Sequence, residues 1–399
     1  MFDYELPSRR QVSGRLLDVI YDREKAQLIL RICESGVSNL ALITDGCSNT
    51  NGDSIINFVF VNPRTAPLFW KSLNTKAEAH TAEYIAETIW TTIFEFESVV
   101  GAGAVTAVVT DNAAKMIKAW RLVRKERVGL VCTGCAAHGA NLLMKDMFNL
   151  AIFEDVLDKA KQLSRFIKDH RGLWSRFRDL QKALRKKGEK RRRLSTPVPT
   201  RWYTHEKCVS NVYHNKYIIA AIVSDTALLK SYKGSSLDEA LKNFCDEDFW
   251  QASGAVLALI RPINECLAAF ERDNCSLSLV YHQFDWLCKH PAYTEPLDGC
   301  PISLQVEVLS LMKTRRGKMC TTAVKIAYLL DQTKTIYDPS DTDIKTLIND
   351  AKQLAQDLNL VPADLADKFH RQLQDFALAK SAWRWKLRED NIAHSPIAW

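Results

Sequence analysis

Two apolar, β-branched runs each stop at an aspartate: LALITDGCSN carries Asp45 and TAVVTDNAAK carries Asp111. Runs this short and this rich in Ile, Val and Thr fit buried strands. An acid at the carboxyl end of such a strand is held outward by a rigid sheet, where open α/β sheets place their ligands. Two such acids on neighbouring strands can share divalent metal ions, the working part of many phosphoryl-transfer centres. The expectation is a sheet in which residues 45 and 111 meet at one edge.

The neighbouring patterns agree with an α/β arrangement. Residues 15–34 have helical spacing, with Leu16, Leu17, Ile20, Leu28 and Ile32 recurring. LALIT (40–44), IINFVFV (55–61) and PLFWKSL (67–73) read as strands, and Asn49, Asn51, Gly52 and Asp53 supply a hairpin turn. From Thr81, a plausible N-cap, the residues Tyr84, Ile85, Thr88, Ile89, Thr92 and Phe96 share one helix face. After Gly101-Ala102-Gly103 come the strand AVTAVVT, the helix NAAKMIKAWRLVRK and the strand VGLVC. This order predicts a mixed sheet with flanking helices. Beyond residue 133 the pattern is helical almost throughout, broken at 288–305 and by a basic, Pro-containing stretch. The expected division is a helical segment 1–38, an α/β domain 39–145 and a helical domain 146–399 with a basic hairpin at 182–205.

Composition narrows the function classes. With 47% hydrophobic and 25% charged residues over 399 positions, the chain is a folded protein, not a disordered one. Eleven scattered Cys have no framework spacing and read as reduced thiols of an intracellular protein. MFDYELPSRRQ has no apolar stretch behind its charges, so no secretory signal is expected. No window looks apolar enough to span a membrane, and a soluble protein is expected.

Each motif also has an ordinary reading. Asp45-Gly46 and Asp111-Asn112 are common turn and cap residues, but the pair together favours ligands for Mg²⁺ (or Mn²⁺). Cys132, Cys135 and His138 form C-x-x-C-x-x-H without a second Cys/His pair at zinc spacing, which favours buried thiols and a hydrogen-bonded His. Residues 182–193 carry eight Lys/Arg against one Glu, among them Lys186, Lys187, Arg191, Arg192 and Arg193. Such a run is a solvated face, a nuclear localisation signal or a phosphate-contacting patch. Arg201-Trp202 is an anchor for the connection or, with an exposed ring, a stacking site for an unpaired base.

In this order, ITDGCSN, VVTDNAAK, CTGCAAHGANLL and PTRW resemble the core of hAT-type DNA transposases. WQASGAVLALIRPINECLAAFERDNCSLSLV, AYLLDQ and the opening YELPSRRQVSG are similar to further parts of that family. The resemblance implies an RNase H-like sheet followed by a long helical insertion, and an Asp, Asp, Glu metal site acting on DNA phosphodiesters. Asp45 and Asp111 would match the first two acids, Cys135 and His138 the C-x-x-H that begins the insertion, and Arg201 and Trp202 the Arg-Trp placed near DNA.

Three departures stand out. Cys47 replaces the family's Trp after the first acid, no Cys/His finger lies at the amino end, and the sequence stops at HSPIAW. The third acid and the dimerisation segment are therefore expected to be missing. None of Glu265, Glu271 and Glu389 sits where the third acid belongs. The expectation is a nuclear, transposase-derived DNA-binding protein with an incomplete catalytic core, acting as a monomer. The alternative is a DNA- or protein-binding module without catalysis.

Overall fold

A computed structural model describes residues 6–36, 38–76, 80–184, 191–198, 202–232, 240, 244, 246–272, 274–334 and 343–382. Five strands, β1 (Leu40–Ser48), β2 (Ser54–Val61), β3 (Leu68–Asn74), β4 (Val105–Thr110) and β5 (Val131–Gly134), form one sheet in the order β3-β2-β1-β4-β5. β2 pairs antiparallel with β1 and β3, while β4 runs parallel to β1 and β5. This is the expected RNase H-like mixed sheet. β1 runs four residues beyond the expected LALIT, because Asp45–Ser48 keep pairing with β2 after β4 has ended.

Before and between the strands lie α1 (Arg9–Val12), α2 (Arg15–Ser35), α3 (Ala82–Val100) and α4 (Ala114–Glu126). The Thr81 hydroxyl caps α3 by accepting from the Tyr84 N–H at 3.1 Å. The stripe Ile85, Ile89, Ile93 and Phe96 then packs on Leu40, Leu42, Phe58, Phe60 and Trp70 of the sheet. Phe96 stacks on Phe60 with ring centroids 3.7 Å apart and meets Trp70 edge-on at 5.2 Å. Each such side chain contributes about 1.5–3 kcal/mol by leaving water.

A second compact unit runs from Ala136 to Cys320, and its described elements are all helices, with 191–198 irregular. It comprises α5 (Ala136–Phe148), α6 (Ala151–Asp169), α7 (Arg171–Ala183), α8 (Tyr203–His214), α9 (Lys216–Val223), α10 (Thr226–Leu229), α11 (Glu247–Phe270), α12 (Leu277–Lys289), α13 (Pro291–Thr294) and α14 (Ile302–Met319). By length and composition α11 could cross a bilayer, contrary to the expectation from the sequence. More than half of its apolar window is buried, with Trp250, Val256, Leu259, Ile263 and Phe270 inside the unit, as in a core helix. Pro262 interrupts its hydrogen-bond ladder, and the Tyr293 hydroxyl donates to the Leu259 carbonyl at 2.6 Å.

From Thr321 the chain belongs again to the sheet unit, through α15 (Thr322–Leu330), α16 (Ile344–Asp357) and α17 (Ala366–Ala382). The expected boundaries at 38 and 145 and the single helical domain 146–399 are thus drawn differently. α2 is part of the sheet unit: Ile32 is in its core, and the Tyr21 hydroxyl and Lys25 ammonium both donate to the Trp70 carbonyl. At the other end, Gly129 lies so close to α16 that a Cβ there would sit 2.4 Å from the Asp357 carbonyl oxygen. Helical periodicity shows that a segment is a helix; it does not show which core that helix joins.

Candidate functional site

Pairing register bears on the two aspartates. β1 and β4 run parallel with Leu42 beside Val108 and Ile43 beside Val109. The pairing ends there; continued for two more residues, this register would bring Asp45 level with Asp111, with Asp45 on the sheet face turned away from α3. Asp45 is exposed and Asp111 half-buried. β4 ends at Thr110, so Asp45 sits where β1 leaves its parallel neighbour.

The turn carrying Asp111 is tightly fixed. Its Oδ1 accepts from the Ala113 N–H at 2.7 Å, so part of the carboxylate does the ordinary work of leading into α4. The buried Thr110 hydroxyl accepts from Trp120 Nε1 at 3.2 Å and donates to the Asp111 carbonyl at 2.7 Å. Asn112 Nδ2 donates to the Cys135 carbonyl at 2.9 Å, and the Cys135 N–H donates to the Thr110 carbonyl at 2.7 Å. Gly134 makes this closeness possible, since a Cβ there would lie 1.7 Å from Asn112 Oδ1.

Two residues not anticipated from the sequence extend the site. Asp45 pairs with Asn57, and Asn57 with Ser72, so Asp45, Asn57 and Ser72 form one polar row across β1, β2 and β3. The Ser72 hydroxyl donates to Asn57 Oδ1 at 2.5 Å, which turns the Asn57 amide group toward β1, where it approaches Cys47 Sγ at 3.6 Å. The available signal was Asn57 itself, a polar residue inside the apolar run IINFVFV. The next row on this face is apolar, and its Ile43 and Phe69 are 37% and 43% exposed.

Two carboxylates are hard donors of the kind Mg²⁺ or Mn²⁺ accepts, with water and substrate phosphate completing the shell. Among the described residues, however, no three His, Cys, Asp or Glu side chains are grouped to hold a metal ion. Among the described residues the donor set is therefore two acids. Glu265 lies in α11 and Glu271 at its end, both in the other unit, and Glu389 lies outside the described residues. Cys135 contributes backbone bonds between β5 and α5, and His138 sits in the first turn of α5, partly exposed. Burial pushes the Cys132 thiol up.

Residues 7–163 match DUF659, a domain of unknown function. No curated protein matches the chain. The DUF659 region takes in both aspartates, the polar row, Cys135 and His138, and it ends within α6.

The basic stretch lies beyond the DUF659 match, in the second unit. Residues 136–232 hold twenty Lys/Arg against nine Asp/Glu, a surplus greater than the +7 of the entire chain. Lys186, Lys187 and Arg201 lie outside the described residues. Arg191, Arg192 and Arg193 are exposed on a segment without regular structure. That segment is clamped by its backbone: Gln181 Nε2 and Asn215 Nδ2 donate to the Arg192 carbonyl at 2.8 and 2.9 Å, and Leu194 is buried. The Arg192 guanidinium donates to Ser210 Oγ of α8 at 3.1 Å. Nearby, burial raises the Glu206 carboxyl above its usual range, opposed by Arg192, a bond to Ser210, His214 and Lys207. Trp202 is half-buried and stacks on His205, centroids 4.6 Å apart, with the Lys145 ammonium 5.9 Å from its ring. Those contacts are those of an anchor.

Proposed function

We propose that this chain is an hAT-type transposase-derived protein whose RNase H-like core contacts DNA and retains two of three metal-binding acids, so that its own residues do not complete catalysis. What supports this reading is the parallel pairing of β1 with β4, in register up to Ile43 beside Val109, two residues short of Asp45 and Asp111. The DUF659 match supports it, since that domain is associated with hAT-like transposase-derived proteins. Nuclear localisation is part of the proposal and rests on the basic run at 182–193.

If the two acids form a site, Mn²⁺ or Mg²⁺ will stabilise the protein weakly. The expected gain is on the order of 1 kcal/mol with the ion at about ten times its dissociation constant. It should vanish in Asp45→Asn and in Asp111→Asn, read by thermal denaturation. No shift in the wild type, or an equal shift in both variants, would make the pair ordinary turn residues.

A second reading, a DNA-binding module without catalysis, is favoured by the clamped segment that keeps Arg191 and Arg193 exposed. Replacing both by Gln should lower the slope of log affinity against log salt by about 2 for duplex DNA. An unchanged slope would remove this segment from the DNA contact.

A further inference from the structure

We propose that Ser195 is a phosphorylation site for an Arg-directed serine/threonine kinase, and that its phosphate pairs with the arginines just before it. The site goes beyond the functional reading above and stands without DNA as a partner. Protein kinases choose substrates in part by charge pattern. In Arg191-Arg192-Arg193-Leu194-Ser195 the hydroxyl has Arg two, three and four residues before it, and no other Ser or Thr of the chain has that setting. The local structure suits a kinase cleft. Residues 191–198 have no regular structure, and among the described residues no backbone-to-backbone hydrogen bond holds them. Side chains hold them instead: Gln181 and Asn215 on the Arg192 carbonyl, Asn211 on Ser195 Oγ at 3.0 Å, and Thr204 on Val198. Arg191, Arg192 and Arg193 are exposed, Ser195 is half-buried, and Leu194 is the buried side chain of the segment. Local release therefore breaks side-chain bonds and uncovers one leucine, while the backbone ladders of α7 and α8 stay intact.

The step balances with ATP as the donor. Ser195 Oγ attacks the γ-phosphorus of Mg²⁺-bound ATP, the bond to the β,γ-bridging oxygen breaks, ADP leaves, and the hydroxyl proton passes to the kinase's catalytic Asp. The product carries a charge of about −1.5 to −2 and three strong acceptor oxygens. A cation is already in place to meet it. The Arg192 guanidinium donates to Ser210 Oγ at 3.1 Å, and Asn211 Nδ2 donates to Ser195 Oγ, so guanidinium and hydroxyl reach α8 at adjacent residues. Glu206 and His214 also face that guanidinium, and the phosphate competes for it with more charge than the Glu206 carboxylate carries. Arg191 and Arg193, exposed on the same segment, add further positive charge. Opposite charge nearby favours the ionised form, so the second ionisation of the phosphate, ordinarily about 6, is expected to fall. One consequence does rest on the DNA-contact reading: the modified chain binds duplex more weakly, because its arginines are already paired.

Incubating the native full chain with Mg²⁺, ATP and the catalytic subunit of cyclic-AMP-dependent protein kinase tests the site. Mass spectrometry should find a phosphate on Ser195; Ser195→Ala should lose it, and Thr196→Ala should keep it. Arg193→Gln should lower kcat/KM for the modification about tenfold or more, as expected for the loss of one charge-assisted hydrogen bond to the kinase. A native chain that takes up no phosphate, or uptake that persists unchanged in Ser195→Ala, overturns the proposal. Pairing is read separately, by phosphorus NMR titration of the modified chain. A midpoint below about 6 is expected, and one at or above about 6 overturns the pairing with the arginines.

Discussion

Glu97→Ala is expected to destabilise the sheet unit by about 3–5 kcal/mol, because it leaves a largely buried guanidinium without its anion. Glu97 closes α3 and is 8% exposed. Its carboxylate accepts from Arg127 Nη1 at 2.8 Å and Nη2 at 2.6 Å, and from the Val105 N–H at 2.9 Å. Arg127 in turn donates to the Val105 carbonyl at 2.9 Å and lies 5.2 Å from the Trp90 ring. One side chain thus joins the end of α3, the start of β4 and the end of α4. Burial pushes the Glu97 carboxyl up, but the Arg127 guanidinium and the Val105 and Gly103 N–H groups outweigh it and hold it below its usual range.

The sign of the pH dependence follows. A depressed folded value means that the contribution is present above the ordinary carboxylate value, about 4.3, and is lost as pH falls through the folded value. Urea unfolding at pH 7 should show the full loss in Glu97→Ala. Glu97→Gln should lose part of the acid dependence seen in the wild type. A cost under about 1 kcal/mol at pH 7 would mean that the pair is solvated in practice.

Lys380→Met is expected to cost about 2–4 kcal/mol. Lys380, on α17, is 1% exposed, and its ammonium donates to the carbonyls of Tyr328, Leu329 and Asp331 at 2.9, 2.8 and 2.6 Å. These carbonyls lie at the carboxyl end of α15, where a helix lacks internal partners. Methionine fills the volume but donates nothing; the Tyr328 and Asp331 carbonyls keep the Asp331 and Lys334 N–H groups, so the cost is that of the lost charge-assisted bonds, about 1.5–3 kcal/mol for one such bond. Hydrogen exchange should quicken in α15 and α17 together, with a lower melting temperature. Faster exchange in α17 alone would show that the ammonium does not cap α15.

The sheet was legible because its strands alternate so regularly: Phe58 and Phe60 point to one face and Asn57 and Val59 to the other. Register between Asp45 and Asp111 was not legible, since pairing depends on contacts more than sixty residues apart. The clamp at Arg192 was hidden for a similar reason. Gln181 and Asn215 read as ordinary polar helix residues until the fold brings both to one carbonyl. The return of the chain to the sheet after Thr321 was missed because helical spacing in α15 to α17 carries no address.

That return sets an order of assembly. The 185 residues from Ala136 to Cys320 separate β5 from α15. At about 5–20 residues per second, a ribosome needs roughly 10–40 s to make them. During that interval the nascent strands wait without α15 to α17, and the turn at Gly129 waits without α16. Early exposure of this kind invites chaperone capture, so the yield of folded chain should depend on translation speed between positions 136 and 320.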